Sequence, residues 1–211
     1  MYIENENQFV IKFLRLTMKT TTLLFFVLFS ALCFSQTKLN YDVVLFNKKI
    51  GETTIEKIDK GNGYTLYKLK SQSEAKLLFT SKKSLANAEI LVKNGELQTS
   101  YYKVVNDEGE SLTQAKKMDD VYEIEQNGKK LRLKKVIKNY SVLLYFQEPK
   151  TNLVGYFSER LGEFFNLEKI ANAEYRSVLR NVTSYYRYIN GKLMEVEMSK
   201  PLGSVFLKLV N

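Results

Sequence analysis

The 211-residue chain contains no histidine and no tryptophan, a single cysteine and two prolines. Without histidine there is no Ser-His-Asp triad, no imidazole general base and no histidine-ligated haem. One cysteine, Cys33, excludes an intramolecular disulfide. Without Cys or His partners it also excludes the usual zinc sites. No GxxxxGK[ST] loop and no GxGxxG following a strand occurs, so nucleotide phosphates have no familiar cradle. No metal and no cofactor is expected. Two prolines and the absence of low-complexity runs or internal repeats argue against linkers and disorder.

What the chain does have begins with a short greasy segment. Met18-Lys19 and three threonines precede an apolar run from Leu23 to Phe34, followed by Ser35-Gln36. At about a dozen residues the run falls short of the roughly 20 needed to span a bilayer. It fits the core of a secretory signal peptide. The expected leader is 18–35, with cleavage between Ser35 and Gln36. Cys33 then leaves with the leader, and the remaining chain has no thiolate nucleophile. Acylation of Cys33 would want a small residue before it, where Leu32 stands. Residues 1–17 read as a start-site artefact upstream of Met18 or as an extended n-region. An uncleaved anchor from Phe9 to Phe34 would bury Lys12, Arg15 and Lys19 at high cost. The expected protein is therefore exported to the periplasm or the exterior, with no integral membrane span after cleavage. Residues 36–211 are expected to form a single β domain, of ordinary size for one hydrophobic core.

The formal charge is +9. The excess is mostly lysine, whereas phosphate-reading surfaces favour the arginine fork. A solvated lysine surface is the expectation, with no nucleic-acid partner.

From Leu39 onward apolar residues alternate. Leu39, Tyr41, Val43 and Leu45 fall on one face, opposite Asn40 and Asp42. Turn signals recur at Asn47-Lys48, Gly61-Asn62-Gly63, Asn94-Gly95, 106–109, Asp119-Asp120, Asn127-Gly128, Asn190-Gly191 and 201–203. Asn-Gly favours two-residue type I′ hairpins, whose φ values are positive at both central positions. A two-residue loop at Asn127-Gly128 pairs Gln126 with Lys129, Glu125 with Lys130, Ile124 with Leu131, Glu123 with Arg132 and Tyr122 with Leu133. Opposite charges then meet on one face and apolar side chains on the other. The basic run Lys129, Lys130, Arg132, Lys134 and Lys135 is thereby faced by Glu123 and Glu125. Loops at Asn94-Gly95 and Asn190-Gly191 predict Lys93–Glu96, Val92–Leu97, Tyr188–Leu193, Arg187–Met194 and Tyr185–Val196. The last strand, Val205 to Val210, is expected inside the sheet.

The reading is mainly β: a single antiparallel meander of about ten strands, forming a strongly curved sheet or (half-)barrel with one or two short helices. Ser141 is the expected cap of a helix from Val142 to about Gln147, stopped by Pro149. A second helical turn is expected within Gly155–Phe165.

Three carboxylates flank irregular segments, namely Glu148, Glu159 and Glu163. Paired across a cleft they would suit glycoside hydrolysis. No tryptophan is present for sugar stacking, and Glu159 beside Arg160 also reads as a surface ion pair. No catalytic residue is assigned. Tyr185, Tyr186 and Tyr188 suit a cavity wall, with Tyr186 and Tyr188 on one face. Asn181-Val182-Thr183 matches a glycosylation sequon, relevant only in a eukaryotic secretory pathway.

Several stretches resemble an uncharacterised family of exported proteins, a domain of unknown function found mainly in flavobacteria and their relatives. They are Tyr41-Asp42-Val43 with Ile50-Gly51-Glu52, Ala75 to Phe79, Leu143 to Pro149, Phe157 to Phe165, Tyr186-Arg187-Tyr188, Glu197-Met198-Ser199 and Leu202 to Val205. The resemblance runs from Tyr41 to Val210. It implies a β-rich fold and an envelope location, and brings no known activity.

The functional expectation is binding of a lipid or other apolar or amphipathic ligand in the curved sheet. Leu143, Leu144, Tyr145 and Phe146 would form a lid over it. Tyr186, Tyr188, Glu159 and Arg160 complete the candidate ligand-binding set. The alternatives are a structural or interaction module meeting an envelope protein partner, and a carboxylate-dependent hydrolase.

Overall fold

The computed structural model describes residues 36–77, 80–150, 153–200 and 203–210. The leader, the residues before it and the Ser35 side of the cleavage point lie outside the described residues. Fourteen strands follow in chain order: β1 Gln36–Leu45, β2 Lys48–Gly61, β3 Tyr64–Leu77, β4 Thr80–Lys93, β5 Glu96–Asn106, β6 Gly109–Met118, β7 Val121–Gln126, β8 Lys129–Leu133, β9 Leu153–Ser158, β10 Glu163–Ala171, β11 Glu174–Leu179, β12 Val182–Ile189, β13 Lys192–Lys200 and β14 Gly203–Leu209. They form one antiparallel sheet in the order β8-β7-β6-β5-β4-β3-β2-β1-β14-β13-β12-β11-β10-β9. The last strand thus lies inside the sheet, between β1 and β13. No helix among the described residues is long and apolar enough to cross a membrane.

The strand number exceeds the expected ten because several turns carry no strong signal. Among the described residues such turns lie at 159–162, 172–173 and 180–181. Positive φ falls on Ala173 (57°) and Arg180 (54°), residue types that seldom adopt it. At the first turn, the two-residue loop Phe46-Asn47, both at positive φ, stands one residue before the expected position. The Asn127-Gly128 and Asn94-Gly95 registers agree with expectation in every pair. At Asn190-Gly191 only Tyr188–Leu193 holds. A bulge then leaves Met194 unpaired, so Arg187 faces Glu195 and Tyr185 faces Glu197. The bulge also places Arg187 between Glu195 and Glu197 in an ion-pair network.

Edge strands β8 and β9 do not pair with each other. The chain between them crosses the seam. The Leu97 N–H donates to the Ile137 carbonyl at 2.9 Å, and the Phe157 N–H to the Asn139 carbonyl at 2.9 Å. A single parallel bridge joins Tyr140 to Phe157. Beside it, the Thr113 hydroxyl of β6 donates to the Arg160 carbonyl at 2.7 Å. Gly162 there has φ +64°, and a Cβ on it would meet the Ile124 Cγ2 at 2.9 Å. The far halves of the sheet therefore come together, giving a curled, incompletely closed barrel.

Beyond the seam the chain makes the one helical turn among the described residues, a 3₁₀ turn at Ser141–Tyr145. It is shorter than the expected 142–147. Gly155–Phe165, expected to hold a second helical turn, is strand, turn and strand. The 3₁₀ turn inserts Val142 and Leu144 into the core, against strands from both halves. One end of the barrel is thereby filled. Tyr41 meets Tyr145 edge-on at 5.5 Å, Tyr67 meets Phe146 at 5.5 Å, and Tyr175 meets Tyr188 at 5.7 Å. Each fully buried side chain of this size contributes about 1.5–3 kcal/mol.

Candidate functional site

The other end of the barrel is not filled. At its inward positions β3 carries Ser73 and Ala75, β4 carries Ser84, β11 carries Ser177 and β12 carries Ser184. These small side chains leave room among the larger ones, and a cavity of about 600 Å³ results. Its walls combine these serines with aliphatic side chains, Val43, Leu69, Ile90, Val196 and Met198 among them. Exposed Lys82, Lys83, Asp107, Glu108, Arg160 and Arg180 stand at its mouth. Arg180 is committed to Glu163 at 2.6 Å, whereas Arg160 has no salt-bridge partner among the described residues.

The floor is built from the 3₁₀ turn and the β9–β10 connection. Glu159 is 1 % exposed. One of its carboxylate oxygens accepts the Ser141 N–H at 2.9 Å and the Ser141 hydroxyl, and the other accepts the Val142 N–H at 3.0 Å. Glu159 therefore caps the 3₁₀ turn. Ser141, the expected cap, is the first residue of the turn and donates. The reason is reach: a long carboxylate from the β9–β10 connection can satisfy two orphan N–H groups at once. Burial pushes the Glu159 pKa up, and hydrogen bonds from Ser141 and Val142 oppose that shift. Glu159 and Arg160 do not form the surface ion pair read from the sequence. One points into the protein and the other into solvent.

Tyr102, Tyr145 and Tyr186 line the cavity. They lie deep in the protein yet retain accessible surface, because that surface is the cavity wall. Burial raises all three pKa values. Tyr102, Tyr186 and Glu159 stand close enough to Tyr145 to add to its shift.

Of the eight sequence candidates, the cavity brings together Tyr145, Tyr186, Glu159 and Arg160. Leu144 is buried in the packed end, and the Tyr188 hydroxyl donates to its carbonyl at 2.8 Å. Leu143 and Phe146 pack against the same core. The four-residue segment is thus an internal plug contributing one wall residue, rather than a lid over the sheet. Tyr102 was not among the candidates. Its signal lay in the register: it faces Ala88 on β4 and Thr113 on β6, short neighbours that leave a large inward ring room to stand clear.

The three candidate carboxylates occupy three separate settings. Glu148 accepts the Tyr175 hydroxyl at 2.9 Å, Glu163 pairs with Arg180, and Glu159 holds the floor. No cluster of acidic residues, histidine or cysteine able to hold a metal ion occurs among the described residues.

A curled antiparallel sheet, plugged at one end and hollow at the other, defines a barrel-like fold. Residues 41–210 match the family model described as Domain of unknown function (DUF6134), and the chain belongs to that family. The fold is similar to the crystal structure of a beta-barrel-like protein of Domain of Unknown Function DUF1849 from Brucella abortus. The TM-score is 0.55 at 11% identity, covering 82% of this chain and 95% of that one. No curated protein matches.

Proposed function

We propose that this protein is an exported, non-enzymatic binder of an apolar or amphipathic ligand, held inside the curled sheet. The observation that carries the reading is the hollow in the curled sheet, walled by small and aliphatic side chains with Tyr102, Tyr145 and Tyr186 among them. A cavity of about 600 Å³ is in the range of small-molecule sites, roughly 300–1,000 Å³. Charged groups around the mouth leave the apolar interior as the place where a hydrocarbon chain gains most from leaving water. Docking to an envelope protein by strand addition is the weaker reading, because edge strand β8 carries Lys129, Lys130 and Arg132, charges that discourage such pairing.

The test is displacement of a hydrophobic fluorescent dye, with native mass spectrometry of gently purified protein. Dye binding that is abolished by Ala75→Trp, which fills the cavity, is expected. A protein that binds neither dye nor any co-purifying lipid would overturn the proposal. Export is tested by N-terminal sequencing of the secreted protein, which should begin at Gln36.

A further inference from the structure

Resting on the cavity reading above, we propose that the ligand is a single-chain amphiphile with an anionic head, a carboxylate or a phosphate, which lies tail inward with that head against the Arg160 guanidinium. The ground is how the charges around the mouth are paired. Arg180 meets Glu163 at 2.6 Å, Lys82 stands 3.9 Å from Glu108, and Lys83 stands 3.7 Å from Glu74. Asp107 accepts the Lys83 N–H at 3.0 Å. Of the cationic side chains lining the mouth, Arg160 alone has no salt-bridge partner among the described residues. Its main chain is held firmly. The Arg160 carbonyl accepts the Thr113 hydroxyl at 2.7 Å. The Leu161 and Gly162 N–H groups that follow donate to the Ser158 carbonyl at 3.2 and 2.8 Å. Thr113 stands opposite Tyr102 in the β5–β6 register, and Tyr102 is a wall residue. Arg160 is therefore rooted at the cavity wall, exposed to solvent at the mouth.

A guanidinium presents a planar fork of donors that matches two oxygens of a carboxylate or phosphate. At the mouth such a head keeps part of its water, so most of the cost of burying a charge is avoided. Entry head first would strip that water and carry the charge toward the buried Glu159 carboxylate on the floor. A cationic head fares worse at the mouth. It would face Arg160 as a like charge, while Asp107 and Glu108 already have donors in the Lys83 N–H and Lys82. An uncharged head gains nothing from the guanidinium's charge and depends chiefly on burial of its tail. That tail, in every case, has Val43, Leu69, Ile90, Val196 and Met198 to lie against.

The experiment compares probes of equal chain length by competition against the dye: a medium-chain fatty acid, the matching alkyl phosphate, the primary alcohol and the primary amine. One of the two anions should compete about three- to tenfold better than the alcohol, and the better of them identifies the head. Arg160→Gln should remove that advantage, leaving affinity for the alcohol and the dye within about twofold. Arg176 supplies the control for overall charge. It lies on β11, exposed and 2.7 Å from Glu168, on the face opposite its neighbour Ser177, which lines the cavity. Arg176→Gln lowers the net charge equally and should leave the advantage in place. Thermal melts check that both variants fold. An alcohol or amine that competes as well as the anions would overturn the inference. So would an undiminished advantage in Arg160→Gln, or an equal loss in Arg176→Gln. In each of those cases continued dye binding leaves the cavity reading standing. Loss of all binding in the wild type would overturn both.

Discussion

The Glu159 carboxylate accepts the Ser141 backbone N–H at 2.9 Å, and so ties the β9–β10 connection to the start of the 3₁₀ turn. One buried side chain thereby holds together the seam, the plug and the cavity floor. Glu159→Gln keeps the shape but offers the two N–H groups a single acceptor oxygen. It should destabilise the protein by about 1–3 kcal/mol in urea denaturation. The pH dependence has a definite sign. The folded-state pKa is raised above its ordinary carboxylate value, so between those two values the folded protein binds more protons than the unfolded chain. The contribution of Glu159 is greatest below the ordinary carboxylate range and declines as pH rises through its own raised pKa. Wild-type stability should therefore gain on Glu159→Gln as pH is lowered from neutral toward that range. A gap that narrows on acidification would show that the hydrogen bonds outweigh burial.

The two sets of tyrosines should separate by stability alone. Tyr41→Phe and Tyr188→Phe each remove a buried hydrogen bond to a backbone carbonyl, at Leu193 and Leu144 respectively. Each should cost about 1–2 kcal/mol. Tyr102→Phe removes a hydroxyl that no described residue uses, and should be neutral within about 0.5 kcal/mol. Chemical denaturation of the three variants gives the comparison. A cost for Tyr102→Phe equal to that of Tyr41→Phe would mean that its hydroxyl is structural.

Local chemistry was legible in the sequence wherever a turn type was encoded by residues that tolerate positive φ. Asn127-Gly128 is the clear case: its register, and the facing of Arg132 by Glu123 at 2.6 Å, follow from the loop length. Arg180 and Ala173 adopt the same backbone region with no such signal, because neighbouring strand pairing holds them there. The strand count therefore exceeds what the turn signals predict. The Met194 bulge is equally silent in the sequence, and it moved every pair beyond Leu193 by one residue.

The site was half legible. Tyr186 and Tyr188 share a face, as alternation requires, yet one lines the cavity and the other fills the plugged end. Alternation assigns a face but not a depth along the barrel axis. Depth depends on which small residues neighbouring strands bring level with a position, such as Ser73, Ser84 and Ser177. Ser177 sits on the adjoining hairpin strand, but β3 and β4, which carry Ser73 and Ser84, are distant in sequence. The capping of the 3₁₀ turn by Glu159 is likewise a long-range contact, spanning 17 or 18 residues, and left Ser141 as the only local candidate.

Two glycines should be intolerant of a methyl group, for different reasons. A Cβ on Gly51 would stand 2.0 Å from the Gln72 carbonyl oxygen and 2.6 Å from the Ser73 Cα. Both are backbone atoms, so β2 and β3 would have to part. Gly51→Ala should cost about 3 kcal/mol or more. On Gly162 the obstacle is φ +64° together with an Ile124 methyl at 2.9 Å, a side chain that can yield. Gly162→Ala should cost about 1–2 kcal/mol. Equal effects in thermal or urea unfolding would contradict the distinction between backbone and side-chain obstruction.

Ser100 offers a substitution expected to improve the protein. It lies on β5 between Ile90 of β4 and Ala115 of β6, is 3 % exposed, and its hydroxyl has no hydrogen-bond partner among the described residues. Holding a hydroxyl there forgoes its hydrogen bonds to water, a desolvation cost of about 1–3 kcal/mol on mutational scales. Alanine has nearly the same volume and no polar atom. It fits the strand without a new cavity, although its propensity for strands is slightly lower. The expected net effect of Ser100→Ala is a gain of about 1 kcal/mol, read as a higher urea midpoint at unchanged slope. Destabilisation at unchanged slope would mean that the hydroxyl finds a partner in solution, such as an ordered water.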